Sequence, residues 1–249
     1  MKRITWLVGA ALLLSGAGVA ARVDSGKAIA AALADPARPA DDTARDAARH
    51  PAETIAFARV KPGDRVVDFI MGGGYFTRIL AKTVGPKGHV WGYIPDEFVK
   101  FKPTYREDQL KVTGGYANVT AINGSLGAPA LPDNIDVAIT VQNYHDMHLG
   151  MFPADTAAKA NAALFKALKH GGILLVVDHA ALDGSDLTVP DKLHRIDPKI
   201  VKAELATTGF RYDGELTILR NPADPHTANV FDPAIRGHTD QFIYRFVKP

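Results

Sequence analysis

The 249-residue chain contains no cysteine. Disulfides, thiolate-ligated zinc, thiol nucleophiles and a cysteine-linked lipid anchor are therefore excluded, and the core alone must hold the fold. Long hydrophobic runs are scarce as well. The one near the start, Ile4 to Leu14, gives way to Ser and Gly and falls short of the roughly 20 residues of a membrane span. No block of one charge stands out either: 29 Lys and Arg are scattered among 27 Asp and Glu, without the basic patch of a nucleic-acid binder. The G-x-S-x-G elbow of α/β hydrolases is missing, as is H-E-x-x-H, and no segment repeats. The two Trp, seven Tyr and eleven Phe are spread through core-like segments, so no aromatic cluster marks a quinone, lipid or nucleobase pocket.

What is present suits one globular domain: 47% hydrophobic and 22% charged residues are enough for a single substantial core. The N-terminus has a different character. Lys2 and Arg3 precede the apolar run and then the small residues SGAGVAA, the layout of a secretory signal over residues 1–20 with a cut near Gly18 to Ala20. Cleavage would remove both basic residues and bring the formal charge from +2 to zero. The expected location is exported and periplasmic, with no stable membrane span after cleavage. Residues 21–44, rich in Ala, Asp and Pro, read as a short helix and a linker, and 45–249 as the domain.

From Arg45, RDAARHPAETIAFARV carries a helical apolar pattern that ends at the Pro62-Gly63 turn. Strand-like RVVDFI, HVWGYI, NVTAI, IDVAITV and GGILLVVDH then alternate with helix-like segments at YFTRILAKTV, from Thr104, and near Ala154 to Leu168. Such alternation predicts a mostly parallel, doubly wound α/β sheet. After a helix at Pro198 to Thr207, ELTILR and QFIYRFVK predict a late hairpin closing one edge.

In such a sheet, ligands sit beyond the carboxyl ends of the strands, where a glycine turn lets backbone N–H groups approach them. VVDFIMGGGYFT, Val66 to Thr77, places Gly72, Gly73 and Gly74 there, with Asp68 at the strand end. The glycines supply either a ligand cradle or only a turn with positive φ, and their place in the first strand–helix unit favours the cradle. Thr77 stands where the third glycine of a dinucleotide fingerprint belongs, which weakens a dehydrogenase reading.

This segment also resembles the first motif of class I S-adenosylmethionine-dependent methyltransferases, and LKHGGILLVVDH resembles their late turn and fifth strand. RHPAETIAFARVKPGDRVVD, NYHD, DH and HRID together resemble a group of predicted, often exported bacterial methyltransferases. The resemblance spans Arg45 onward. It implies a Rossmann-like sheet of seven strands with the last antiparallel, S-adenosylmethionine over the first two strands, and a small-molecule acceptor at the fourth and fifth. There are departures. Ile70 replaces the motif's first glycine and must hold a backbone geometry that a β-branched residue can adopt. The second strand ends at Ile94 instead of an acid, leaving Asp96 to reach the ribose, and Ser125 replaces the acid expected near adenine.

Polar residues gather at the later strand ends: Asn143, His145, Asp146 and His148; Asp178 and His179; then His194, Arg195 and Asp197. Asn143 is assigned with the donor site. Two chemistries suit the rest. His145 or His179 serves as a base that deprotonates the acceptor, oriented by Asp146 or Asp178. Alternatively His145, Asp146, His179 and His194 hold a divalent metal. His50 and His170 read as helix caps and His148 as the start of a surface loop.

Overall fold

A computed structural model describes residues 16–249, with side chains from Asp24 onward. The leader expected over residues 1–20 lies outside the residues whose side chains are described. Among the described residues, no helix is long and apolar enough to cross a membrane.

The chain opens with helices α1 (Gly16–Leu33), α2 (Ala40–Thr43), α3 (Asp46–Arg49) and α4 (Pro51–Phe57). Strand β1 (Arg65–Phe69), α5 (Tyr75–Val84), β2 (His89–Tyr93), α6 (Asp96–Phe101), α7 (Thr104–Gly114), β3 (Val119–Ile122) and β4 (Ile135–Val141) follow. A 3-10 turn at His145–His148 leads to α8 (Thr156–Ala167), β5 (Leu168–His179), α9 (Val189–Leu193), α10 (Pro198–Thr208), β6 (Arg211–Leu216) and β7 (Gln241–Val247). The described residues form one seven-stranded sheet in the order β3-β2-β1-β4-β5-β7-β6. β1 to β5 pair in parallel, and β7 runs antiparallel between β5 and β6.

The central strands are apolar along their length because helices cover both faces, as parallel strands require. Val67, Phe69, Leu174 and Val176 point to one side, under α8 and α10; Val66, Ile139, Leu175 and Val177 point to the other, under α5, α4 and α1. Parallel pairing brings the carboxyl ends of β1, β2, β4 and β5 to one rim. The residues that follow those strands share a crevice for that reason.

Three expectations shift. The helical pattern after Arg45 is split at His50, whose φ of +43° and following proline separate α3 from α4. β6 starts at Arg211, four residues before ELTILR, because the ladder to β7 runs through RYDGEL with an irregularity between Tyr212 and Gly214. The segment read as helix and linker packs into the domain: Ile29 and Ala32 of α1 are buried with Ile79 and Leu80 of α5. Arg38 adds a two-pronged pair to Asp46 at 2.6 and 2.7 Å, and Tyr75 Oη donates to the same carboxylate at 2.5 Å.

Candidate functional site

The turn after β1 is built by positive φ angles. Gly72 has φ +53° and Gly74 +80°, while Ile70 stands at +61°. Ile70 thus occupies the left-handed region that β-branched side chains disfavour, contrary to the geometry expected for it. Asn143 holds it there: its Nδ2 donates to the Ile70 carbonyl at 2.9 Å and to the Val141 carbonyl at 2.7 Å. The three glycines have separate reasons. A Cβ on Gly74 would lie 2.7 Å from Val112 Cγ1 of α7, whereas one on Gly72 or Gly73 would meet nothing within 4 Å. Gly74 therefore packs the turn against α7, and Gly72 and Gly73 leave open space.

Asp68 is fully buried and accepts a 2.6 Å hydrogen bond from Thr77 Oγ1. Burial pushes its carboxyl up to about 6, and the Thr77 hydroxyl and the Arg49 charge pull the other way. Thr77 stands in the third-glycine position because it ties the first turn of α5 to β1.

Two connected hollows lie over this rim. The larger, about 500 Å³, is lined by Ile70, Gly72 and Ile94, by the aromatic rings of Phe98, Phe101 and Tyr105, and by His145, Asp146, His179 and His194. The smaller, about 180 Å³, shares Ile70, Gly72, Gln142 and Asn143 and is walled by Asp68, Arg45, Arg49, Gly73 and Tyr75. An aromatic cluster that the sequence spacing hid is thus assembled by α6, α7 and the loop bearing Phe231.

His145 is the most constrained of the polar groups. Its backbone N–H and ring Nδ1 both reach the Asp178 carboxylate, at 2.7 and 2.8 Å, and its Nε2 lies 3.2 Å from Asp146 Oδ1. Burial disfavours its charge, but the two carboxylates outweigh that and raise its pKa to about 10. His179 behaves oppositely. Burial brings it down to about 4, against the pull of Asp178, and its Nδ1 pairs with Thr239 Oγ1 at 2.7 Å. His194 caps α9 in the left-handed region, φ +53°, and its ring meets His145 edge-on at 5.3 Å between centroids. Asp146 is held below the ordinary carboxylate value, because the His145 and His194 rings overcome its burial.

Some expected members stand elsewhere. Asp96 is exposed at the start of α6 and lines neither hollow. Ser125 is exposed too, donating to Glu97 Oε1 at 2.7 Å. Arg195 is buried in a pair with Asp224, at 2.7 and 3.1 Å, and Asp197 caps α10 by accepting from the Lys199 N–H. His148 is tucked against Glu204 at 3.2 Å, and His170 lies within β5 against the Pro249 carbonyl.

Arg49 and Gln142 were not foreseen. Arg49 ends α3 just before the helix is interrupted at His50, so its side chain lines the smaller hollow instead of following a continuous helix. Its guanidinium stacks 4.4 Å from the Tyr75 ring centroid and donates to Gln142 Oε1 at 3.1 Å. Among the described residues it has no ion pair, and burial lowers its pKa. Gln142, at φ +62°, is braced by Gln241 Oε1 at 3.0 Å. The RHP triplet was the only sequence signal for this break.

No family profile matches the chain. Over 124 residues, 49% of its length, the chain is 31% identical to a protein-L-isoaspartate O-methyltransferase of Ignicoccus hospitalis, half of which the match covers (50%). A SAM-dependent methyltransferase from Aquifex aeolicus superposes with a TM-score of 0.55 at 18% identity, covering 80% of this chain and 89% of that one. The chain has the fold of the class I S-adenosylmethionine-dependent methyltransferase superfamily. The seven strands and the antiparallel β7 agree with the architecture that the resemblance implied. The superfamily's fold alone does not fix a reaction. The [4+2]-cyclase SpnF also superposes, with a TM-score of 0.59 at 17% identity over 82% of this chain and 81% of its own. The chain spans about half the length of the curated relatives it matches.

Proposed function

We propose that the protein transfers a methyl group from S-adenosylmethionine to a small-molecule acceptor. The observation that carries this reading is Arg49, a half-buried guanidinium whose desolvation no ion pair offsets among the described residues, facing the hollow beside Gly72 and Gly73. A desolvated cation of this kind is costly unless an anion joins it. The donor's carboxylate is such an anion. Its amino-acid end fits the smaller hollow between Arg49 and the glycines, and its adenosine fits the apolar wall of Ile94, Phe98 and Tyr105. The combined space is within the range of about 300–1,000 Å³ usual for small-molecule sites.

When bound, S-adenosylmethionine supplies an activated methyl carbon. The chain's own residues align the acceptor, exclude water and take its proton. His179 is the better base of the two foreseen, because it is neutral at physiological pH while His145 is held as a cation between two carboxylates. With Nδ1 paired to Thr239, Nε2 is the nitrogen left for an acceptor. The aromatic walls favour an acceptor with an apolar body.

A second reading has one observation in its favour. Ile94 leaves the ribose without a carboxylate and Asp96 does not replace it, which suits a pocket that kept the fold and took another ligand or reaction. Titration calorimetry separates the two. Wild-type protein should bind S-adenosylmethionine and 5′-methylthioadenosine, and Arg49→Gln should weaken only the former by at least about tenfold, or ~1.4 kcal/mol. No binding of S-adenosylmethionine or S-adenosylhomocysteine at millimolar ligand would overturn methyl transfer.

A further inference from the structure

The lining of the larger hollow includes three potential ligand atoms from two separate elements. His145 and Asp146 come from the 3-10 turn after β4, and His194 from the left-handed cap of α9. His145 Nε2 lies 3.2 Å from Asp146 Oδ1, His194 Nδ1 lies 3.9 Å from the same oxygen, and all three donors fall within 4.8 Å of one another. In a tetrahedral shell with bonds of about 2.0–2.1 Å, neighbouring donors sit roughly 3.3 Å apart. One gap already matches. The others close with a shift of up to about 1.5 Å at His194, the more exposed of the two imidazoles.

The surroundings are arranged as they are behind metal-bound histidines. The other nitrogen of His145, Nδ1, is bonded to Asp178 at 2.8 Å, and Asp178 is itself fixed by the backbone N–H groups of His145 and His179. A buried carboxylate behind the distal ring nitrogen fixes the tautomer and points Nε2 at the ion. Charge points the same way, since the buried Asp178 and the half-buried Asp146 flank one imidazole and a divalent cation would balance them. His179, expected as a fourth ligand, stands outside the set, with Nδ1 committed to Thr239.

We propose that His145, Asp146 and His194 bind a divalent transition-metal ion of the zinc or ferrous class, leaving its remaining coordination position open to the hollow. Two imidazoles and one carboxylate suit these ions better than calcium or magnesium, which take oxygen ligands. Three protein ligands with an open position make a site that receives an external oxygen donor, in contrast to a closed structural site. The ligand class is therefore a small molecule with an anionic oxygen, such as a phenolate, enolate or carboxylate. None of the three ligands belongs to the glycine turn, so the two binding functions can be tested separately.

The test uses the full chain, stripped with chelator and then titrated with zinc, with bound metal counted by mass spectrometry and cobalt(II) absorption reporting the coordination. One ion per chain is expected, with a tetrahedral cobalt spectrum. His194→Ala should abolish the spectrum and the stoichiometric binding. Asp178→Asn should weaken binding by about 10–100-fold. His170→Ala, at an exposed imidazole remote from the cluster, should change neither. If His145→Ala does not fold, His194→Ala carries the test. Zinc bound equally by wild type and His194→Ala, or not bound at all at high micromolar concentration, overturns the proposal. Calorimetry with S-adenosylmethionine on chelated protein keeps the two readings apart: donor binding without metal binding sinks only this one, and the converse sinks only methyl transfer.

Discussion

His145 and His179 lie 6.1 Å apart between ring centroids, one buried and one half-buried, yet their proton affinities are shifted in opposite directions. The difference comes from their hydrogen-bond partners, two carboxylates for one and a hydroxyl for the other. In metal-free protein, nuclear magnetic resonance of the ring nitrogens should find His145 protonated throughout pH 6 to 8 and titrating near 10, and His179 neutral down to about 4. The two contribute to stability in opposite directions. The His145 contribution is full below its unfolded value of 6.5 and is lost as pH rises through about 10. That of His179 is present above 6.5 and is lost as pH falls through about 4. A neutral His145 at pH 7 would remove the reason for choosing His179 as base. Sequence shows which residue types gather at strand ends, so His145, Asp146, His179 and His194 were legible as a group. Their division of labour was not, because it depends on which carboxylate reaches which ring nitrogen.

At the scale of elements, the β1–α5 turn and α7 form one mechanical unit. Gly74→Ala places a Cβ against Val112 and in a left-handed conformation. The conformation should cost about 1–2 kcal/mol and the clash about 1–3 kcal/mol. Chemical denaturation should show Val112→Ala recovering the clash in the double variant but not the backbone cost, so the two substitutions couple instead of adding. Simple additivity would mean that α7 does not rest on the turn. The glycines were readable as a cradle from their place after the first strand. Ile70 misled, because a β-branched residue argues against positive φ and nothing local shows that Asn143, 73 residues later, braces its carbonyl. Arg49 escaped for a related reason: apolar spacing favours one helix through residues 45 to 60, and only the αL residue before Pro51 redirects the chain. Long-range braces of this sort leave no periodic trace.

Across the whole molecule, the sheet was the most legible part, since strand–helix alternation survives in any one segment. The role of the N-terminal helices was less so, as their Ala-rich composition shows no strong apolar face. Ile29 and Ala32 nonetheless close one face of α5, and burying them stabilises the domain by about 2–4 kcal/mol before Arg38 is considered. A variant beginning at Arg45 should therefore melt at least ~5 °C below one beginning at Arg22, by calorimetry. Equal melting temperatures would return residues 22–44 to the status of a linker. The position of β7 bears on synthesis. It is translated after the other six strands but belongs inside the sheet, one strand from its edge, between β5 and β6. Until residues 241–247 emerge from the ribosome, β5 has a bare edge, and that edge ends at Asp178 and His179. From the completion of β5 at His179 until β7 emerges, the nascent chain carries an aggregation-prone border, and the histidine cluster can reach its final order only after the last strand has docked.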